Sequence, residues 1–251
     1  MEPIFSKNFE ITPAATDRFD RLKASHLLRF LQEVAGEHSA LLGSDRNTLI
    51  QRGLFWAVIR HRVQITRLPH AGETVRIETW PMPTTRTAYP RSTIAYDEKG
   101  NECFRCISLW VLMDEKSRAM VLPGKSGVEV NGLLRGCELA TPGSMMPREM
   151  AECMHRTVRF TDLDVNGHMN NCRYLDWIDD LLPSRFHENH EMREFSLCYL
   201  SEIREGETLD LHWELSDGPV LSVEAVRASD AAPEGRTRVF SAKIAHQNVV
   251  L

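Results

Sequence analysis

Along residues 25–42, Leu27, Leu28, Leu31, Val34, Ala35, His38, Leu41 and Leu42 recur three and four positions apart, the spacing that gathers side chains on one face of an α-helix. Ser25 supplies a capping hydroxyl at the start and Gly43 a stop at the end, so the pattern predicts a helix of about four turns. The periodicity then changes. LFWAVIRHRVQI at 54–65, ETVRIETWPM at 73–82, RSTIAY at 91–96 and NECFRCISLWVLMD at 101–114 are rich in β-branched and aromatic residues and predict four strands. The last two are separated by Asp97, Glu98, Lys99 and Gly100, a credible hairpin loop.

After residue 156 the same order begins again. TVRFTDLDVNGHMNN, at 157–171, leads into a second apolar helix face of Tyr174, Leu175, Ile178, Leu181 and Leu182, closed by Pro183. Strand-like runs follow at 195–203, 207–215, 220–228 and 237–246. Gly72-Glu73-Thr74 and Gly206-Glu207-Thr208 open corresponding strands in the two halves, and their agreement with the order of elements points to internal duplication. Between the halves, residues 123–150 hold PGKSG, NGLLRG and TPGSMMP, rich in residues that break regular structure. The expected architecture is α+β: a first domain at 1–128, a linker at 129–150 and a second domain at 151–251. Each would be a long central helix wrapped by an antiparallel sheet, and edge-to-edge pairing would make two tandem hot-dog domains fused as a pseudo-dimer.

With 251 residues, 42% hydrophobic and 26% charged, the chain has the composition of an ordinary globular protein of two domains. A formal net charge of −5 argues against a general nucleic-acid partner. No apolar run reaches the roughly 18 residues needed to span a bilayer, and MEPIFSKNFE has no signal-peptide pattern. A soluble, cytoplasmic protein without membrane insertion is expected, with oligomerisation left open and a homodimer the assembly considered. Cys103, Cys106, Cys137, Cys153, Cys172 and Cys198 are dispersed, so reduced thiols are expected. The single C-x-x-C, Cys103 and Cys106, lies in a strand-like run with no second Cys or His pair, so neither a metal nor a cofactor is expected.

The densest polar constellation is DLDVNGHMNN at 162–171. Alternation through an extended segment would put Asp164, Asn166 and His168 on one side and leave Leu163, Val165 and Met169 for the core. A helix starting near Asn170 or Asn171 would then aim its unpartnered first N–H groups at a carbonyl oxygen, as acyl transfer requires. Asp and Asn ahead of a helix are also ordinary caps. Aligning Phe30-Leu31 with Tyr174-Leu175 sets Asp20, Leu22 and Ala24 opposite Asp164, Asn166 and His168. A cap required by the fold should recur in both copies, whereas a catalytic set can survive in one.

DLDVNGHMNNCRYLDWI resembles the signature of the plant and bacterial acyl-acyl-carrier-protein thioesterases. LLRFLQEVAGEHS, LFWAVIRHRVQITRLPHAGETVRIETW and SLWVLMD are similar to the N-terminal hot dog of the same family, so the resemblance runs through nearly the whole chain. It implies hydrolysis of a fatty acyl thioester carried by acyl carrier protein, ending chain elongation, with Asp164, Asn166 and His168 in the active site. The family's further carboxylate falls on Glu202 in YLSEI, as a base or water-positioning group, with Asp164 the alternative base and direct carboxylate attack a variant. Ile203 stands where the plant pattern has a Cys, which removes support for a thiol nucleophile and leaves Cys172 and Cys198 as small hydrophobes. Leu27, Leu31, Trp56 and Val58 are expected to bind the acyl chain and read its length, because the catalytic positions of their half have lapsed. The rival readings are a hot-dog dehydratase or hydratase acting on a similar thioester, and an acyl-binding protein without catalysis.

Overall fold

The first apolar stripe forms α1, Ala24–Leu41, in a computed structural model that describes residues 3–136, 139–228 and 237–249. Leu27, Leu28, Leu31, Val34, Ala35 and His38 are buried along one face. Lys23, rather than Ser25, occupies the capping position; Ser25 is buried in the first turn and its hydroxyl has no hydrogen-bond partner among the described residues. At the other end Gly43 takes a left-handed φ of +70°, its N–H donates to Ala40 and the Ser44 N–H donates to Ser39, a glycine-dependent stop. The helix therefore ends where Leu41 faces out, and Leu41 is 62% exposed instead of buried. A short α2, Arg46–Ile50, follows, capped by the Asp45 carboxylate, which accepts the Asn47 and Thr48 N–H groups at 2.8 and 3.2 Å.

α1 packs on an antiparallel sheet of β1, Phe5–Glu10, β2, Leu54–Ile65, β3, Thr74–Pro81, β4, Tyr89–Tyr96, and β5, Glu102–Asp114. The spatial order is β1-β3-β4-β5-β2, with β6, Met120–Val121, beside the end of β5 and α3, Pro123–Ser126, after it. The hairpin loop between β4 and β5 is held by Asp97, whose carboxylate accepts the Lys99 and Asn101 N–H groups at 2.9 and 2.8 Å. Ile77, Trp80, Phe104 and Ile107 are buried between helix and sheet or among the strands. β1 and β6 were not foreseen, β1 because its alternation FSKNFE is too polar to read as a core strand.

The second half repeats the plan. It contains β7, Glu152–Thr157, α4, Arg173–Asp179, α5, Ser184–Asn189, β8, His190–Tyr199, β9, Thr208–Leu215, β10, Val220–Arg227, and β11, Arg238–Asn248. Read as β7-β9-β10-β11-β8, its strand order is that of the first half with each strand replaced by its counterpart. The central helix differs: α4 has seven residues, not the long helix expected. Pro183 disfavours helical backbone at the residue before it, so the chain tightens through Leu181 and Leu182 and restarts as α5. Tyr174, Leu175, Trp177 and Ile178 are nonetheless buried.

The chain divides into compact units at 1–142 and 143–251, a junction inside the segment expected to link them. Neither described side of that segment is loose. Leu133 donates its N–H to the Pro81 carbonyl at 2.9 Å, and Gly132 passes so close to the chain just after β3 that an added Cβ would clash with Met82 and Pro83 backbone atoms. On the other side the Cys198 thiol meets the Gly143 carbonyl at 3.5 Å and Arg238 donates to Met145 at 3.1 Å. Cys137 lies outside the described residues; Cys103, Cys106, Cys153, Cys172 and Cys198 are free thiols. Among the described residues no helix is long and apolar enough to cross a membrane.

Two outcomes follow from this packing. Gly132→Ala must displace main chain, so its denaturant midpoint should show a loss of about 1–3 kcal/mol, while Gly143→Ala, with open space at its Cβ, should stay within about 0.5 kcal/mol of the parent. His61 is buried with Nδ1 2.8 Å from the Ser108 hydroxyl, and burial pushes its pKa down to about 3. The unfolded chain takes up that proton near pH 6.5 and the folded chain does not, so His61 should lower stability by up to about 1.4 kcal/mol per pH unit below ~6.5. His246, pushed down to about 4 by burial, adds to the slope, so urea midpoints between pH 6.5 and 4.5 should fall more shallowly in His61→Gln than in the parent without becoming flat.

Candidate active site

Residues 164–168 form a tight loop, not the extended segment that alternation suggested. The Asp164 N–H donates to the His168 carbonyl at 2.9 Å, the Gly167 N–H donates to the Asp164 carbonyl at 3.0 Å, and Leu163 bridges Met169 across the stem. The Asp164 side chain closes the turn by accepting the Asn166 N–H at 2.8 Å, and Gly167 turns the chain at a φ of +74°. Local carboxylate-to-amide bonding thus outcompetes extended pairing. Val165, expected in the core, sits at the tip and is 90% exposed, while Met169 is buried.

The stem docks on the loop after β8. The Met169 N–H donates to the Ile203 carbonyl at 2.8 Å and His168 bridges Arg204. That registration places His168 Nε2 3.4 Å from Glu202 Oε2, with the His168 side chain 17% exposed and that of Glu202 42% exposed. A proton-accepting carboxylate and an imidazole therefore meet at a solvent-accessible point. Asn166 is exposed on the same loop, its amide nitrogen 3.5 Å from Asp164 Oδ2. Of the four polar residues singled out, the fold brings His168 and Glu202 into contact and joins Asp164 to Asn166 through the turn.

Two supporting residues escaped the sequence reading. Arg227, on β10, donates from Nη2 to the Glu202 carbonyl at 2.7 Å and to the Ser201 hydroxyl at 3.1 Å, and from Nε to Glu207 Oε2 at 2.8 Å. Glu207 in turn accepts the Arg204 N–H at 3.1 Å. The signal for Glu207 was the repeated Gly-Glu-Thr triplet, because Glu73 accepts the His70 N–H at 2.7 Å and pairs with Arg67 at 2.6 Å in the same way. Arg227 carried no local signal.

The expected oxyanion site at the next helix does not form as foreseen. α4 begins at Arg173, and the Cys172 and Arg173 N–H groups both donate to Asn170, to its side chain and its carbonyl respectively, at 2.9 Å. Cys172 is the capping residue, and Asn170, two residues ahead of it, takes two of the amides that had been assigned to substrate.

The first unit repeats this hairpin without its chemistry. The Asp17 N–H donates to the Arg21 carbonyl, the Asp20 N–H to the Asp17 carbonyl and the Leu22 N–H to the Pro69 carbonyl, while the Asp17 carboxylate accepts the Phe19 N–H at 2.7 Å. The counterparts of Asp164, Asn166, His168 and Glu202 are therefore Asp17, Phe19, Arg21 and Leu68. The alignment of Asp20 with Asp164 was three residues out: the hydrogen bonds of the two hairpins pair Asp17 with Asp164. Asp164 recurs with the turn; the other three do not.

The first unit instead holds a cavity of about 210 Å³. Gln32, Ala35, Gly36 and Ser39 line it from α1, with Trp56 and Trp110 from the sheet. No atom lies within 4 Å of a Cβ built on Gly36, so the small side chains leave the space open. Leu27, Leu31 and Val58 are buried in the core and are not among the cavity's lining residues. Burial raises the Cys103 and Cys106 thiols to about 11 and about 12, which keeps them protonated. No cluster of three or more His, Cys, Asp or Glu that could hold a metal occurs among the described residues.

A central helix on a five-stranded antiparallel sheet, built twice in one chain with the polar cluster on the second copy, defines a double hot-dog protein. The chain belongs to the acyl-ACP thioesterase family: residues 2–122 match the acyl-ACP thioesterase N-terminal domain and residues 146–239 the C-terminal domain. A chloroplastic palmitoyl-acyl carrier protein thioesterase of Gossypium hirsutum is 28% identical over 229 residues, 85% of this chain and 55% of that protein. A chloroplastic dodecanoyl-[acyl-carrier-protein] hydrolase of Cinnamomum camphora is 29% identical over 212 residues, 78% of this chain and 54% of that protein. The chain thus spans about half the length of the curated relatives it matches. The fold is shared with the crystal structure of an acyl-ACP thioesterase from Bacteroides thetaiotaomicron, at a TM-score of 0.88, 24% identity and 98% coverage of both chains. It is shared also with the 12:0-ACP thioesterase from Umbellularia californica, at a TM-score of 0.82, 23% identity and 99% coverage of both.

Arg227→Met should release the Glu202 main chain from β10 and raise amide exchange at Met169 and Arg204 roughly tenfold in the folded variant. Hydrogen exchange tests this; unaltered rates would show that the tether does not hold the loop.

Proposed function

We propose that this protein hydrolyses the thioester of a fatty acyl-acyl carrier protein, releasing free fatty acid and the carrier's thiol and so ending chain elongation. The observation that carries the reading is the His168–Glu202 contact at 3.4 Å, built on a hairpin whose copy in the first unit has Arg21 and leucine in those places. In this mechanism Glu202 takes a proton from water and the resulting hydroxide adds to the thioester carbonyl carbon. The electron pair displaced onto the carbonyl oxygen returns as the C–S bond breaks, and the proton reaches the departing sulfur through His168. Asn166 donates its amide to the carbonyl oxygen. Asp164 closes the turn that carries Asn166, as Asp17 closes the turn that carries Phe19 in the first unit, which favours Glu202 over Asp164 as the base. The substrate is delivered by acyl carrier protein, without cofactor or metal, in the cytoplasm.

The acyl tail is assigned to the cavity of the first unit, whose wall is largely apolar and includes Trp56. Leu27, Leu31 and Val58 contribute from the core by holding α1 and β2 in place.

Two measurements test these assignments. His168→Ala and Glu202→Gln should each cut hydrolysis of an acyl-carrier thioester about a hundredfold or more while the protein stays folded, and Cys172→Ser and Cys198→Ser should retain most activity. Near-normal turnover in folded His168→Ala, or an acyl group trapped on either thiol, would sink the mechanism. Gly36→Leu should shift released fatty acids toward shorter chains and Trp56→Ala toward longer ones; unchanged product profiles from active variants would remove the acyl tail from this cavity.

A further inference from the structure

The cavity of the first unit contains a cation that a plain alkyl chain does not need. Arg91, on β4, turns its guanidinium inward, with Nη1 3.1 Å from His38 Nδ1 and 3.3 Å from the Thr79 hydroxyl oxygen. Both partners are fully buried. Each is neutral in this arrangement: the His38 Nδ1 accepts from Arg91 and so carries no proton of its own. Among the described residues no carboxylate pairs with Arg91, and its Nε and Nη2 have no protein partner. Burial lowers its pKa to about 10, which leaves it charged at neutral pH.

The other charged residues on the cavity wall do not cancel it. The Asp45 carboxylate is occupied by the Asn47 and Thr48 N–H groups and by the Thr48 hydroxyl at 2.6 Å, and Arg46 adds a second positive charge. Trp56, Trp110, Leu42 and Pro81 also line the space, surfaces suited to methylene groups. A part-buried guanidinium with two neutral acceptors retains unspent donors that face the cavity, and methylenes cannot use them. An oxyanion can, accepting two N–H bonds from the planar fork.

We propose that this cavity binds an aliphatic chain bearing a carboxylate, with the carboxylate on Arg91 and the chain along Trp56 and Trp110. The proposal shares with the functional reading the idea that the cavity takes an alkyl chain, and it adds a polar end. Two sources have this chemistry: a free fatty acid anion lodged carboxylate-first, and the distal carboxylate of a dicarboxylic acyl thioester.

The test titrates the full chain with dodecanoate and with dodecanol, both below micelle formation, and reads tryptophan fluorescence. The parent should bind dodecanoate at least tenfold more tightly than dodecanol, Arg91→Met should bring the two together, and Arg91→Lys should keep part of the difference, all three sharing one circular dichroism spectrum. Equal affinities in the parent, or an unchanged ratio in folded Arg91→Met, would overturn the proposal. Turnover then separates the sources: a KM for ω-carboxydodecanoyl carrier below that for dodecanoyl carrier, lost in Arg91→Met, supports the dicarboxylic thioester, and inhibition by dodecanoate that is lost in Arg91→Met supports the free acid. Because the affinity ratio is measured without catalysis, a protein that shows it but hydrolyses no thioester would defeat the functional reading and leave this one standing.

Discussion

The second unit depends on one main-chain hydrogen bond, from the Met169 N–H to the Ile203 carbonyl. Such a bond contributes only about 1 kcal/mol by itself. Its importance is geometric, since it sets the register between the hairpin at 164–168 and the loop after β8, and every polar contact of the site inherits that register. A slip of one residue would turn His168 away from Glu202. The bond is guarded on both sides: the Asp164 carboxylate folds the hairpin from within, and Arg227 and Glu207 hold the Glu202 loop from behind.

The first unit shows what such a frame permits. Leu22 donates to Pro69 as Met169 does to Ile203, Gly72 and Gly206 both turn at positive φ, and Glu73 and Glu207 both accept an N–H three residues upstream. These bonds involve backbone atoms and one buttressing carboxylate in each copy. The side chains projecting from the frame can consequently change without loss of fold, and Phe19, Arg21 and Leu68 have replaced the polar set. Relieved of that chemistry, the first unit has a long α1 with Ala35, Gly36 and Ser39 on one side, and these small residues hollow the space beside the sheet. The Arg91 guanidinium in that space is a charge that apolar packing alone does not account for.

Much of this was legible in the linear pattern. The spacing of Leu27, Leu28, Leu31 and Val34 determined α1, because a helix buries one face and only that spacing supplies one. The β-branched runs determined most of the strands, and the order of elements with its repeated Gly-Glu-Thr determined the duplication. DLDVNGHMNN marked the polar centre, since Asp, Asn, Gly and His crowded together pay no packing role that apolar residues would not fill better.

Side-chain bonding within the loops and partners distant in sequence decided the rest. Alternation placed Val165 in the core, but the Asp164 carboxylate captured the Asn166 N–H and turned the segment outward. Helix periodicity aligned Asp20 with Asp164, yet the hydrogen bonds to Pro69 and Ile203 show Asp17 in that position, three residues away. Asn170 took the amides that local reasoning had reserved for substrate. Arg227 acquires its relation to Glu202 only when β10 lies in the sheet, and Arg91 becomes anomalous only when β4 is covered by α1. Chain pattern specifies which residues face inward and where polar groups gather; which of those groups meet is set by strand register, a long-range property that no local window contains.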